Sequence, residues 1–156
     1  MTPVDSSQFR QLCGRFATGV VVITASDRSG AHHGMTANSF TSVSLEPPLV
    51  SVNVERAASF HAVIGAATRW AINVLGADQE AVSRHFAGAE DHPFLGYRSL
   101  PSGQVALDGA IAVIECEPFT RFEVGDHTVF VGRVQGGEVK DGRPLLYFRG
   151  GYHGLG

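Results

Sequence analysis

Short runs of β-branched residues, each bordered on at least one side by glycine or proline, set the narrowest limit on what this chain can fold into. VVVIT at Val20–Thr24, PLVSVNV at Pro48–Val54 and WAINVL at Trp70–Leu75 are five to seven residues long. They are rich in side chains that suit a pleated surface and read as strands. Gly19–Ala25 is the first strand, and the turn Asp27-Arg28-Ser29-Gly30 returns the chain from His32 to about Phe40, an element stopped by Glu46-Pro47-Pro48. Ala110–Phe122 and Thr128–Val139 are two long strands around the turn Glu123-Val124-Gly125-Asp126, and Pro144–Phe148 is a last short one. Six or seven strands with hairpin connections argue for a mainly β chain, a small antiparallel barrel.

Three short helices interrupt the strands. Asp5 or Ser6 caps the first, whose apolar face is Phe9, Leu12, Cys13 and Phe16. Ala57–Gly65 is the second, with Ser59 in its first turn. Gln79–Phe86, capped by Asp78, is the third and ends in Arg84, His85 and Phe86. Ala87–Gln104 is polar, rich in Gly and Pro, and reads as a loop.

Length and charge narrow the function classes. A chain of 156 residues is one domain, 1–156. A net charge of −3 offers no basic face for nucleic acid. No apolar run approaches the ~18 residues of a membrane span. The N-terminus has no basic patch followed by an apolar run, so a cytoplasmic protein is expected. Cys13 and Cys116 lack a CxxC context and read as reduced thiols, each a small buried apolar residue.

The stretch GMTANSFTSVSLEPP, Gly34–Pro48, stands apart from its apolar flanks. Thr36, Asn38, Ser39, Thr41, Ser42 and Ser44 give it hydroxyls and an amide at close spacing. Such a strand face suits a planar heteroaromatic ring with donors and acceptors at its edge, or a phosphate. A solvated face of a Ser/Thr-rich strand explains the same composition. His127 in Gly125-Asp126-His127 is either a ligand-binding group or a surface turn residue. His85 after Arg84 could meet a phosphate or simply stabilise a helix C-terminus. His32-His33 has no matching ligands nearby and reads as a turn position rather than a metal site. No GxSxG, GxGxxG or Walker pattern is present, which argues against a Rossmann nucleotide domain.

Taken in order, FATGVVVIT, GMTANSFTSVSLEPPLVSVNV, AINVL with SRHFAG, GDHTVFVGRV and PLLYFRGGY resemble the flavin reductase-like family. Its members include the NADH:flavin oxidoreductase components of two-component flavin-dependent monooxygenases. The resemblance runs from about Phe16 to Tyr152. It implies the FMN-binding split barrel, an antiparallel Greek-key barrel with a few short helices that forms a homodimer. It implies that Met35, Thr36, Ala37, Asn38 and Ser39 cradle the isoalloxazine ring, with Ser42 and Ser44 toward the ribityl chain or phosphate. Ser51, Val52 and Asn53 would flank the ring. Ser59, Arg84, His85 and Phe86 would serve the phosphate side. Gly125 and Asp126 would bring His127 to the nicotinamide, with Tyr152 near the same cleft.

The implied chemistry is hydride transfer from C4 of NADH to N5 of FAD, or FMN, with the rings stacked at about 3–3.5 Å. Reduced flavin would then leave for a separate monooxygenase. No metal is implied. Two other readings stay open: a flavin-binding or storage module without NADH turnover, and a pyridoxal-phosphate-related oxidase, for which an Arg/Lys-rich phosphate pocket is missing.

Overall fold

The computed structural model describes residues 2–89 and 93–156. The chain passes through α1 (Ser6–Cys13), β1 (Thr18–Gly19), β2 (Val21–Ser26), β3 (His32–Ala37), β4 (Thr41–Leu45) and β5 (Pro48–Glu55). It continues through α2 (Ser59–Ala66), β6 (Trp70–Val74), α3 (Glu80–Phe86), β7 (Tyr97–Ser99) and β8 (Val105–Leu107). The last elements are β9 (Ala112–Val124), β10 (His127–Val139), β11 (Leu146–Phe148) and β12 (Gly151–His153). The fold is mainly β with a few short helices, as the sequence implied.

Seven strands form one antiparallel sheet in the order β3-β2-β6-β9-β10-β5-β4. The ladder is open: β3 and β4 are its two edges. Two small sheets accompany it, β1-β11-β12 and the hairpin β7-β8. β2 is buried on both faces. Val21, Ile23 and Ala25 join Val50, Val52, Val54, Phe60, Ile64, Trp70 and Ile72 in the main core. Val20 and Val22 pack with Leu75, Leu107 and Leu145 on the other side. β5 alternates strictly, so Val50, Val52 and Val54 point inward while Ser51, Asn53 and Glu55 point out.

One buried amide ties the layers together. Asn73 is fully buried on β6. Its Nδ2 donates to the Val22 carbonyl at 2.9 Å and to Thr24 Oγ1 at 3.0 Å, and its Oδ1 accepts the Leu107 N–H at 2.9 Å. Thr24 Oγ1 in turn donates to the Val105 carbonyl at 2.8 Å. β8 is thereby fastened across β2 and β6 with its polar groups satisfied. Gly132 of β10 admits the Trp70 indole, which a Cβ there would meet at 2.6 Å.

Several sequence expectations need correction. The element expected from His32 to about Phe40, and stopped by Glu46-Pro47-Pro48, is two strands: β3 ends at Ala37, and Asn38-Ser39-Phe40 crosses from one sheet edge to β4 on the other. Asp78 does not cap α3. The helix starts at Glu80, and the Gln79 side chain instead accepts from Gly76 N and donates to the Asp108 carbonyl, both at 2.9 Å. The expected loop 87–104 contains β7 and leads into β8, although residues 90–92 lie outside the described residues. Beyond the last expected strand, the positive φ of Arg149 and Gly150 turns the chain into β12.

The two thiols differ. Cys116 is buried, and loss of solvation pushes its pKa up to about 12, whereas Cys13 is exposed rather than buried. At the Asp27 turn, hydrogen bonds from Ser29 and then His33 hold the carboxyl well below the usual range. His33 Nε2 is thus committed to a hydrogen bond with Asp27 Oδ2 at 2.7 Å within the turn.

Asn73→Ala should lower stability by at least about 1–3 kcal/mol, since it leaves the buried Leu107 N–H unpaired. Urea unfolding followed by circular dichroism measures it, and a midpoint equal to that of the wild type would refute this account of β8.

Candidate functional site

Three cavities meet at Asn38. The first, of about 520 Å³, is lined by Met35–Ser39 on one side and by Asn53, Glu55, Ala58, Asp126 and His127 on the other, with Phe9 of α1 at its rim. The second, of about 530 Å³, lies between Phe16–Gly19 and Asn38–Thr41. The third, of about 210 Å³, is walled by Thr36–Asn38, Val20, Ser83, Ala87, Tyr147 and Tyr152. Together they form a cleft along the open side of the large sheet, with dimensions suited to extended cofactors.

Local structure explains why polar groups gather there. β3 and β4 are edge strands, each with a row of backbone N–H and C=O groups that the ladder does not pair, and Met35–Ala37 of β3 and Thr41 of β4 line the cavities. Thr36 Oγ1 donates to the Ser83 carbonyl at 2.6 Å, which leaves its oxygen as an acceptor only. α3 can approach that closely because residue 34 is glycine; a Cβ there would lie 2.7 Å from the Phe86 ring. Ser39 Oγ accepts the Asn53 N–H at 3.0 Å and fastens the crossing segment to β5. The Ser83 hydroxyl meets the Tyr152 hydroxyl at 2.6 Å, and the Arg84 guanidinium lies 5.0 Å over the Tyr152 ring.

The opposite wall is the tip of the β9–β10 hairpin. Gly125 has φ +59° at the first position of its two-residue loop, a conformation that suits glycine. The Gly125 carbonyl accepts from Arg56 Nη2 at 2.7 Å. His127 Nδ1 and Asp126 Oδ1 are 2.7 Å apart, and the imidazole holds the Asp126 carboxyl below its ordinary range. This pair fixes one ring nitrogen and leaves Nε2 for a ligand.

The expected site residues do not all converge. Met35, Thr36, Ala37, Asn38, Ser39, Asn53, Asp126 and His127 line one cavity, and Tyr152 closes the adjoining one. Val52 is fully buried and turns its side chain into the core. Ser42 and Ser51 sit across the β4–β5 pairing and line none of these three cavities. Ser59 opens α2 one residue after the lining Ala58. Phe86 packs beneath β3, and His85 contacts the rings of Phe86 and Phe94. Arg84 pairs with Glu80 at 3.6 Å. Phe9, Glu55, Tyr147 and Thr18 also line the cleft and are not among the site residues expected from the sequence. Thr18 Oγ1 is buried without a hydrogen-bond partner among the described residues.

Comparison with known proteins decides the family. The flavin reductase like domain matches residues 13–156. The chain belongs to the flavin reductase-like family. An NADH-dependent flavin reductase of a Rhodococcus species is 40% identical over 158 residues, covering 97% of this chain and 88% of that protein. The styrene monooxygenase flavin reductase of Pseudomonas putida S12 superposes with a TM-score of 0.88 at 37% identity, covering 95% of this chain and 97% of that one. The NADH:FAD oxidoreductase SgcE6 of Streptomyces globisporus, solved with NAD and FAD fragments, gives a TM-score of 0.88 at 36% identity over 100% of this chain and 98% of that one.

The residues present fit a flavin. The cleft offers unpaired edge backbone, the Thr36 acceptor, the exposed Asn38 amide and the unpartnered Thr18 hydroxyl to a planar ring with donors and acceptors at its rim. Asn38→Ala should weaken flavin binding about threefold to tenfold at unchanged stability. Ser39→Ala should weaken it and also lower the unfolding midpoint, because the Asn53 N–H loses its partner. Fluorescence titration with parallel urea unfolding checks both, and identical behaviour of the two variants would contradict these separate roles.

Proposed function

We infer that this chain is an NADH-dependent flavin reductase that reduces FAD, or FMN, as an exchangeable substrate. The observation that carries the reading is the convergence of Thr36–Ser39, Asn53 and the Asp126-His127 turn on one cavity in a chain of this family. Bound flavin supplies the redox chemistry by accepting a hydride from NADH at N5. β3 and the crossing segment hold the ring edge with backbone and hydroxyl groups. His127 orients the nicotinamide nucleotide through Nε2 while Asp126 fixes the imidazole. Tyr152 supports the site through Ser83, whose carbonyl accepts the Thr36 hydroxyl. No side chain serves as a covalent catalyst.

Reduced flavin passes to a separate flavin-dependent monooxygenase, and the chain works as a cytoplasmic homodimer. No helix among the described residues is long and apolar enough to cross a membrane. Pairing of two copies is supported by an apolar strip beside the site. Phe122 and Val124 on β9 are more than half exposed, and Val129 of β10 lies between Phe122 and Asn53 in the ladder. A second copy on this strip would adjoin Asn53 and His127.

Steady-state NADH oxidation with FAD, FMN and riboflavin varied in turn tests the activity. Flavin binding without NADH oxidation would leave only a binding module. His127→Ala should raise the apparent KM for NADH roughly fivefold to a hundredfold while flavin affinity changes little. Equal damage to both would make His127 a flavin or folding residue instead. Light scattering should report twice the 16.6 kDa mass of one chain; the monomer mass at micromolar concentration would exclude the dimer.

A further inference from the structure

α1 is a well-formed helix with none of its residues buried. Asp5 Oδ1 accepts the Gln8 N–H at 2.8 Å at its N-terminus, and the Gly14 carbonyl accepts the Arg149 N–H at 2.9 Å at its other end. The helix is therefore anchored to the β11–β12 turn. Its apolar face is not used for packing: Phe9 is 59% exposed and Leu12 61%, and Phe16, in the turn just beyond the helix, is 78% exposed.

Two of these rings stand over the cleft. Phe9 lines the cavity that holds Met35–Ser39 and His127, and Phe16 lines its neighbour across Asn38-Ser39. The remaining wall of the first cavity is mostly polar: Asn53, Glu55, Asp126 and His127. A planar ring bound there meets hydrogen-bonding groups along its edge, while Phe9 offers a large apolar surface for its face. Aromatic faces attract one another in offset or edge-on arrangements, and stacking would also remove the exposed ring from water.

We propose that Phe9 is a cofactor-binding residue, carried by α1 onto the face of the heteroaromatic ring, isoalloxazine or nicotinamide, that occupies the cavity between Thr36–Ser39 and Asp126-His127. The proposal rests on the flavin and NADH reading above. It gives α1 a role that its burial does not explain, and it makes the site a product of the N-terminal helix as well as the barrel.

The test uses the full chain with Phe9→Ala, Phe9→Leu and Phe9→Tyr. FAD, FMN and NAD⁺ are titrated separately, with thermal unfolding and light scattering alongside. Phe9→Ala and Phe9→Leu should weaken either flavin or NAD⁺ about threefold to tenfold, and Phe9→Tyr should bind like the wild type. The unfolding temperature should not move, since Phe9 is exposed. The ligand that loses affinity identifies the stacked ring. Unchanged binding in Phe9→Ala overturns the role of Phe9 alone. So does a Phe9→Leu variant equal to the wild type, which would reduce Phe9 to apolar bulk. A fall in particle mass in Phe9→Ala overturns the proposal in favour of a helix that joins two copies. Failure of the wild type to bind any flavin or NAD⁺ overturns the proposal together with the reading it rests on.

Discussion

Three residues join strands that lie at opposite edges of a seven-stranded sheet. β3 ends at Ala37 and β4 begins at Thr41. The four Cα–Cα steps between them can span at most about 14 Å. In a flat sheet the two edges would stand roughly 29 Å apart, six interstrand spacings of about 4.8 Å. The sheet must therefore curl until its edges nearly meet, and Asn38-Ser39-Phe40 has to bridge the gap. The Ser39 hydrogen bond to Asn53 N pins this bridge to β5. The split-barrel-like curl of the sheet follows from the shortness of that link as much as from the strand pattern.

The same constraint creates the site. A closed ladder would have paired the edges of β3 and β4 and left nothing for a ligand. Because the ladder stays open, unpaired backbone groups and the polar side chains of Thr36, Asn38 and Ser39 gather beside a cleft. The density of hydroxyls between Gly34 and Ser44 is thus a property of a seam. The outward face of β5 adds Asn53, and the long β9–β10 hairpin carries His127 to the other side. The core contributes indirectly. Asn73 locks β2, β6 and β8, and β2 holds β3 in register through the pairing of Val22 with Thr36.

Strand positions were legible because β-branched runs and turn residues act locally. Val21–Ser26, Pro48–Glu55, Trp70–Val74 and the two long strands fall within a few residues of their expected places. What escaped depends on tertiary partners. Tyr97–Ser99 carries no β-branched run and becomes a strand by pairing with Val105–Leu107, which Asn73 and Thr24 dock. Asp78 looked like a helix cap, yet Gln79 reaches two backbone groups that only the folded chain brings near. The break inside Gly34–Ser44 was hidden because both halves have strand composition. Family resemblance brought Asn53 into view and favoured the ligand-binding reading of Asn38 and His127, but the inward turn of Val52 follows from the alternation of β5. Phe9 was read correctly as part of an apolar helix face; that this face would look onto a cleft was not in the helix pattern.

Stability and binding are separated in this molecule. The buried network around Asn73 and the apolar clusters on both faces of β2 fix the sheet, while the groups that meet the cleft sit on edges, a hairpin tip and an exposed helix. Asn38, Asn53, Asp126 and Phe9 are all exposed, so each can be tuned for a ligand at little cost to the core. Thr36 and Ser39 are the exceptions, since their hydroxyls serve the protein and the cleft at once. A reductase that releases its flavin benefits from such an arrangement. Neutral hydrogen-bonding groups on a rigid seam can hold a ring long enough for hydride transfer without the covalent or deeply buried attachment that would prevent it from leaving.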